Sequence, residues 1–290
     1  MTPAIDIIIP NYNGMALLPD CLDAIRRQTR ADWLVTVVDD GSTDGSLALL
    51  RERYPEVRVL PLAENVGLVK AVNAAIAATS APLVVLLNND TEADERWLEH
   101  LAGALERFPA YDFAASKLRL FDRRELLHSA GDGYGWDGVP FNRGVWQEDR
   151  GQYDALAEIF GPCAGAAAYR RSALEALARD GRVLDDDLFM YCEDVDLNLR
   201  ARRAGMRTLF VPQAIVYHRL SATGGGTLDS YYCGRNFITV WAKNMPGPLL
   251  ARSLPRFALA QARIALQAAR HIRGAAARAR LRGQWAGLRS

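Results

Sequence analysis

The stretch "LVVLLNNDTEAD" (residues 83–94) passes from an unbroken apolar run into two asparagines, an aspartate and a threonine. A short apolar run bounded by polar residues reads as a strand buried on both faces. Such a strand needs only a turn at its end, and Gly or Pro would serve. Asn88, Asn89 and Asp90 instead set three polar heads where the strand stops, the place at which open α/β sheets hold ligands. The competing reading is capping, with Asp90 or Thr91 as the N-cap of a helix that starts near Glu92.

Working outward, strand and helix patterns alternate. "IDIII" (residues 5–9), "LVTVV" (34–38) and "VRVL" (57–60) read as strands. Helical stretches lie between them near residues 15–28 and 46–53, and "VGLVKAVNAAIAAT" (66–79) supplies another. This rhythm predicts an α/β fold with a Rossmann-like, mostly parallel central sheet and helices on both faces. The strands run into "PNYNG" (10–14), "DDGSTDGS" (39–46) and "NND", so Tyr12, Asp39, Asp40 and Asp90 face one crevice. The second of these corners also suits a plain turn, with Asp44 capping the next helix. Neither G-x-G-x-x-G nor G-x-x-x-x-G-K-[ST] is present, which argues against a dinucleotide oxidoreductase and a phosphate-loop enzyme. A nucleotide diphosphate in this crevice therefore calls for a carboxylate-held divalent metal in place of a backbone cradle.

Composition limits the alternatives. The chain has 290 residues, 50% of them hydrophobic, enough for one large domain or a domain with an appendage, and it is neither disordered nor fibrous. Its four cysteines lie far apart without a C-x-x-C pair, which suits a reduced, cytoplasmic setting. No apolar run reaches membrane-span length, and "MTPAIDIIIP" meets Asp6 and then Pro10, unlike a signal peptide. The net charge of +1 conceals an asymmetry: residues 247–290 carry nine arginines and no acid, leaving 26 basic and 34 acidic side chains in residues 1–246. The expected organisation is an acidic body, 1–246, and a basic helical tail, 247–290. In the tail Arg256, Arg263 and Arg270 share one helix face, while Leu250, Leu254, Phe257 and Ile264 share another. That pattern suits an anionic membrane surface or a helix packed back on the body. Sparse aromatics and an acidic body argue against nucleic acid.

A second centre is "YCEDVDLNLRARRAG" (191–205), read as a helix from near Glu193. Acids in a first turn favour the helix dipole. Glu193, Asp194 and Asp196, following "DDD" at 185–187, exceed that need, and crowding raises at least one carboxylate pKa.

In order and spacing, "IIIPNYNG", "VVDDGSTDGS", "ENVGLVKAVNAAI", "LLNNDT", "GPCAGAAAYRRSAL", "LDDDLFMYCEDVDLNLRARRAGMRTLFVPQAIVYH" and "SYYCGRNFITVWAKNMP" resemble family 2 glycosyltransferases. The likeness is to the bacterial rhamnosyltransferase-like branch and covers about residues 4–246. It implies a GT-A nucleotide-diphospho-sugar transferase fold, an inverting mechanism and a nucleotide-diphosphate-sugar donor. Carried onto this chain, it puts Pro10, Tyr12, Asn13, Asp39 and Asp40 around the base and ribose. Asn65, Gly67 and Lys70 lie in the segment that closes over the nucleotide, where Lys70 is either a phosphate contact or an exposed helix lysine. "NND" takes the place of the family's D-x-D motif: Asp90 remains as metal ligand, and Asn88 and Asn89 stand on the nucleotide side. His218, which ends "IVYH", completes the metal site by the same resemblance and favours Mn²⁺ over Mg²⁺ as the cofactor. His100, His128 and His271 carry no comparable context.

Asp194 is the implied base, Glu193 its neighbour on the acceptor hydroxyls, and Asp196 supports the site or binds acceptor. Gly165 and Ala166 are expected to form the wall against the sugar. The stretch at 128–149, rich in Gly and aromatics, reads as a mobile loop that offers Trp136 or Trp146 to a sugar face, or as an ordinary packed loop. The expected activity is transfer of a sugar, such as rhamnose from a thymidine-diphosphate donor, to a lipid-linked or cell-surface glycan by a peripheral protein at the inner face of the plasma membrane. The rivals are a UDP-sugar donor and an inactive GT-A module that binds glycan or scaffolds an assembly, for which Asn88 is the main feature.

Overall fold

The computed structural model describes residues 3–220 and 226–290. The first half runs β1 (Ile5–Asn11), α1 (Leu18–Arg26), β2 (Trp33–Asp39), α2 (Ser46–Arg53), β3 (Arg58–Pro61), α3 (Leu68–Ala77), β4 (Leu83–Leu87), β5 (Thr91–Ala93) and α4 (Trp97–Arg107). Then follow β6 (Phe113–Leu120), β7 (Leu127–Ser129), β8 (Asp132–Tyr134), β9 (Pro140–Asn142), β10 (Ala157–Ile159), β11 (Ala166–Arg170), α5 (Arg171–Leu177) and α6 (Glu193–Arg203). The chain ends with β12 (Thr208–His218), α7 (Thr227–Asn244), α8 (Gly247–Arg270) and α9 (Ala275–Gly287).

The strand order is β10-β12-β6-β11-β4-β1-β2-β3. β1 pairs in parallel with β2 and β4, β2 with β3, and β12 with β6, whereas β11 enters antiparallel between β4 and β6. β1 shows why a parallel strand is apolar throughout. Ile5, Ile7 and Ile9 pack with Leu22, Leu98 and Leu101 of α1 and α4, and Ile8 packs on the other face with Val69, Val72 and Ile76 of α3. Each fully buried isoleucine contributes about 1.5–3 kcal/mol.

Two expectations about local structure change. Asp90 and Thr91 cap no helix, because residues 91–93 form β5, antiparallel to the end of β12 with His218 opposite Thr91. The turn into α4 falls later, where Asp94 Oδ1 accepts from Arg96 N at 3.1 Å. The aperiodic stretch at 128–149 is not an unstructured loop but contains β7, β8 and β9, with β8 and β9 forming a hairpin. Strands of three residues are too short to show alternation. The segment is tied to the sheet where buried Lys117 meets Asp149 at 3.1 Å and also Asp154.

The tail packs back. Phe257 stacks on Trp241 with ring centroids 4.0 Å apart and 5° between planes, and α9 approaches α7 through glycines. A Cβ on Gly283 would lie 2.0 Å from the Tyr231 carbonyl oxygen, and one on Gly287 2.6 Å from that of Arg235. Phe257, expected on a membrane-facing stripe, is therefore spent on the body. Leu249, Leu259 and Leu266 are exposed on α8 instead, spaced among Arg252, Arg256, Arg263 and Arg270 on one face.

Candidate active site

At the ends of β1 and β2 a buried polar network replaces a simple turn. Asp39 Oδ2 accepts from Asn11 Nδ2 at 2.8 Å, its Oδ1 accepts from Ser42 N at 2.9 Å, and Asn11 Oδ1 accepts from Asn89 Nδ2 at 2.8 Å. Gly14 is required beside this network, since a Cβ there would sit 2.3 Å from both Asn11 Oδ1 and Asn89 Nδ2. Asp40 accepts from Val66 N and Gly67 N at 2.8 and 3.0 Å; burial raises its pKa and these two donors oppose the rise. Asp40 thus fixes the segment carrying Asn65 and Gly67 over the strand ends. Gly67 has φ of +92°, and a Cβ on it would lie 2.5 Å from the Phe189 ring. Asp39, Asp40 and Asn89 brace the corner; Tyr12, Asn13, Asn65 and Lys70 are exposed around it, and Pro10 is half-buried.

The second corner follows from the pairing of β5 with β12. His218 Nε2 lies 3.1 Å from Asp90 Oδ1, and Arg219 N donates to the Asp90 carbonyl at 2.9 Å. Despite that closeness, Asp90 Oδ1 is buried without a properly directed hydrogen bond among the described residues. His218 Nδ1 lies 2.9 Å from Nδ1 of His128 on β7, a residue whose sequence context marked it as ordinary. Burial first, then the neighbouring imidazole, push the His128 pKa down to about 3, so it is neutral. The tautomer in which His218 donates from Nδ1 leaves the Nε2 lone pair toward Asp90. An orphaned carboxylate oxygen beside an imidazole nitrogen fits a divalent cation: ligands about 2.1 Å from an octahedral ion stand about 3 Å apart. These two residues would hold such a metal.

The third part is the start of α6. Phe189, Tyr191 and Cys192 have φ of 62°, 64° and 66°, left-handed values that cost non-glycine residues of order 1 kcal/mol or more each. Asn236 of α7, fully buried, holds this turn by donating from Nδ2 to the carbonyls of Leu188, Met190 and Tyr191 at 3.0, 2.9 and 2.8 Å. On the strained turn Asp194 accepts from Ala164 N through Oδ2 at 3.2 Å and from Val195 N through Oδ1 at 2.8 Å. Burial raises its pKa against those bonds. Glu193 Oε2 is buried with no partner among the described residues, and burial, followed by the charge of Asp194, pushes Glu193 up to about 8. Asp196 faces away from the cleft: Oδ2 meets Arg200 Nε at 2.8 Å and Oδ1 accepts from Asn244 Nδ2 at 2.7 Å, so it joins α6 to α7 instead of meeting an acceptor.

Short links connect the second and third parts. Ala164 bonds Asp194, and the adjacent Gly165 accepts from Asn88 N at 3.0 Å, two residues before Asp90. Gly165 borders Asn88 Nδ2, whereas the Ala166 methyl is fully buried in the core and forms no sugar wall. Trp136 and Trp146 are 73% and 63% exposed.

Asp132 of β8 was invisible in the sequence. Its carboxyl and those of the Cys163 thiol and Asp194 place one ligand-type atom each within 4.8 Å of one another. Asp132 Oδ1 accepts from Asn142 Nδ2 at 2.7 Å and from Ser129 Oγ at 3.3 Å. Burial first, then the charge of Asp194, raise Asp132 well above the ordinary carboxylate range, and burial raises the Cys163 thiol. Both carboxyls are raised by burial, and a charge on Asp194 disfavours a second one on Asp132 beside it.

Residues 6–178 match the family model for glycosyl transferase family 2. An N-acetylglucosaminyltransferase of Rhizobium sp. is 31% identical over 227 residues, covering 73% of this chain and 48% of that protein. The N-acetylglucosaminyl-diphospho-decaprenol L-rhamnosyltransferase of Mycobacterium tuberculosis is 28% identical over 255 residues, covering 77% and 79%. The chain thus spans about half the length of the rhizobial relative. Among solved structures, GalNAc-T7 with UDP, GalNAc and Mn²⁺ superposes with a TM-score of 0.65 at 16% identity, over 83% of this chain and 48% of that one. The mannosyltransferase PcManGT from Pyrobaculum calidifontis, in complex with GDP-Man and Mn²⁺, gives 0.60 at 18% identity over 93% and 76%. The fold is that of GT-A glycosyltransferases, and this chain belongs to glycosyl transferase family 2.

Proposed function

We propose that the protein transfers a glycosyl group from a nucleotide diphosphate to an acceptor hydroxyl with inversion. Asp194 takes the hydroxyl proton while the acceptor oxygen bonds the anomeric carbon and the bond to the diphosphate breaks, its electron pair leaving with the phosphate. The observation that carries this reading is the placement of a half-buried carboxylate, Asp194, two short backbone links from the Asp90–His218 pair. A Mn²⁺ or Mg²⁺ ion held by that pair would neutralise charge on the departing diphosphate. Tyr12, Asn13 and Asn65 border the nucleotide pocket that Asp39, Asp40 and Asn89 brace, and Glu193, carrying its proton near pH 7, donates to the acceptor.

The name of the mycobacterial relative supports rhamnose as the sugar and a lipid-linked glycan as the acceptor, and the rhizobial relative supports an N-acetylglucosaminyl donor. A thermal-shift panel of dTDP- and UDP-sugars with and without Mn²⁺ decides between them. The true donor at 100 times its Kd stabilises the fold by about 2.7 kcal/mol. Stabilisation by none would favour a glycan-binding module that performs no transfer.

The reaction takes place at the cytoplasmic face of the membrane. Among the described residues no helix is long and apolar enough to cross one, and the exposed arginines and leucines of α8 suit its surface. Each basic residue near an anionic leaflet contributes about 1 kcal/mol. Arg263→Glu with Arg270→Glu should abolish sedimentation with anionic liposomes at low salt. Equal sedimentation of parent and variant would remove the membrane from this reading.

A further inference from the structure

Between the β8–β9 hairpin and the α7–α8 pair lies a cavity of about 380 Å³. Its walls are apolar and largely aromatic: Tyr134, Phe160, Trp241, Met245 and Leu249. Tyr134 stacks on Phe160 with centroids 5.8 Å apart, and the Tyr134 hydroxyl is buried without a hydrogen-bond partner among the described residues. The hairpin sits directly on the helices, since a Cβ on Gly138 would lie 2.6 Å from the Phe257 ring and 2.8 Å from that of Trp241. The gap between hairpin and helices is thus walled by packed side chains on both sides.

The charge on the rim has one sign over most of its length. Arg252 and Arg256 line the cavity, and Arg256 and Arg263 line a neighbouring one of about 430 Å³ that shares Gly135 and Trp136 with it. Among the described residues none of the three arginines meets a carboxylate in an ion pair. The one acid on the rim, Asp137, is engaged by Val139 N at 3.2 Å. An aromatic slot under unpaired guanidinium groups is complementary to a molecule with an apolar chain and a doubly charged phosphate head, because planar guanidinium groups chelate phosphate oxygens. The slot also has a direction. Tyr134 is two residues beyond Asp132 on β8, and Phe160 adjoins Gly161, whose carbonyl accepts from Asp132 N at 2.9 Å. A head group held at the rim would thus lie along the hairpin that also carries the partner of Asp194.

We infer that this slot binds a polyprenyl diphosphate, with the diphosphate on Arg252 and Arg256 and the first isoprene units among Tyr134, Phe160 and Trp241, as the carrier end of a lipid-linked acceptor. The inference rests on the glycosyl-transfer reading and on the lipid-linked acceptor proposed with it, and adds the site that holds the carrier. Farnesyl diphosphate is a soluble probe, with farnesol and inorganic diphosphate as half-probes, and binding is read by calorimetry on the full chain. Farnesyl diphosphate should bind at least tenfold more tightly than either half-probe. Arg252→Ala with Arg256→Ala should weaken it by tenfold or more, and Leu249→Glu, which places a negative charge in the slot, should do the same. Both sets of side chains are partly exposed, and Mn²⁺-dependent stabilisation of each variant by its nucleotide diphosphate should match the parent. Inorganic diphosphate binding as tightly as farnesyl diphosphate, or an unchanged affinity in both variants, would overturn the slot. Loss of nucleotide stabilisation in the parent overturns the transfer reading instead, so the two failures are distinct.

Discussion

The two halves of the sheet solve the problem of placing polar groups in different ways. β1 to β4 pair with one another in parallel, and the aspartates that end β2 are satisfied: Asp39 by Asn11 and Ser42, Asp40 by Val66 and Gly67. From β6 onward an antiparallel strand is inserted, β7 to β10 have three residues each, and the site rests on a left-handed turn held from α7. The first half has Asp39 and Asp40 bonded and leaves one exception, Asp90 Oδ1, at the corner it shares with His218 of the second half. The second leaves Glu193 Oε2 without a partner and holds Asp132 and Asp194 side by side. A lone carboxylate that ties down a loop is a brace, whereas carboxyl groups crowded together by burial are where a proton is readily taken or given.

Asp194→Asn is the sharpest way to break that contrast. The amide keeps the shape but accepts no proton, so turnover should fall roughly 10²- to 10⁴-fold while nucleotide-diphosphate affinity is retained. Normal turnover would return Asp194 to the class of bracing acids. The metal corner should respond in two grades. Asp90→Ala or His218→Ala should remove Mn²⁺-dependent nucleotide binding, and His128→Ala, which acts through His218, should weaken Mn²⁺ affinity about 10- to 100-fold. Titration of Mn²⁺ against nucleotide binding measures both, and an unaffected His128→Ala variant would show that the imidazole pair only packs.

The division also decides what could be read from the sequence. β1 to β4 announce themselves because helices separate them from one another and the apolar pattern is local. The polar corner at Asp90 and the acidic cluster at Glu193–Asp196 were legible locally, whereas the roles proposed for Asp90, Asp194 and His218 come through a resemblance. His128, Asp132 and Asn236 were not, for a shared reason: each acts on a residue far along the chain. Asn236 is on the inner face of a helix whose pattern shows only packing, and its three acceptors lie 45 to 48 positions earlier. His128 meets His218 across 90 residues. The cap assigned to Asp90 or Thr91 was a reasonable local reading defeated by a long-range pairing, β5 on β12.

Asn236→Ala tests whether the strained turn positions the base. It strips the carbonyls of Leu188, Met190 and Tyr191 of the amide whose two N–H groups they share, which costs about 1–3 kcal/mol in stability. If the turn relaxes, kcat should fall more than the donor KM rises. A stability loss with unchanged kcat would show that the turn serves the fold alone.

The smallest expected effect comes from Glu193 and is a matter of sign. Its carboxyl has an ordinary pKa of 4.5 in the unfolded chain and about 8 in the folded one, so between those values the folded state binds more protons. The contribution of this group to stability is then complete below about pH 4.5 and falls as pH rises toward 8. Glu193→Gln keeps the shape and removes the titration, so the variant should gain on the parent as pH increases from 5 to 9. The slope cannot exceed about 1.4 kcal/mol per pH unit, and the nearby Asp194 charge shares in it. At roughly 2 °C per kcal/mol for a chain of this size, a gain of a few degrees in relative Tm is expected across that range. Melting curves of parent and variant that stay parallel from pH 5 to 9 would place Glu193 in an ordinary environment. The acceptor side would then lose one of the two buried carboxyl groups that set it apart from the nucleotide side.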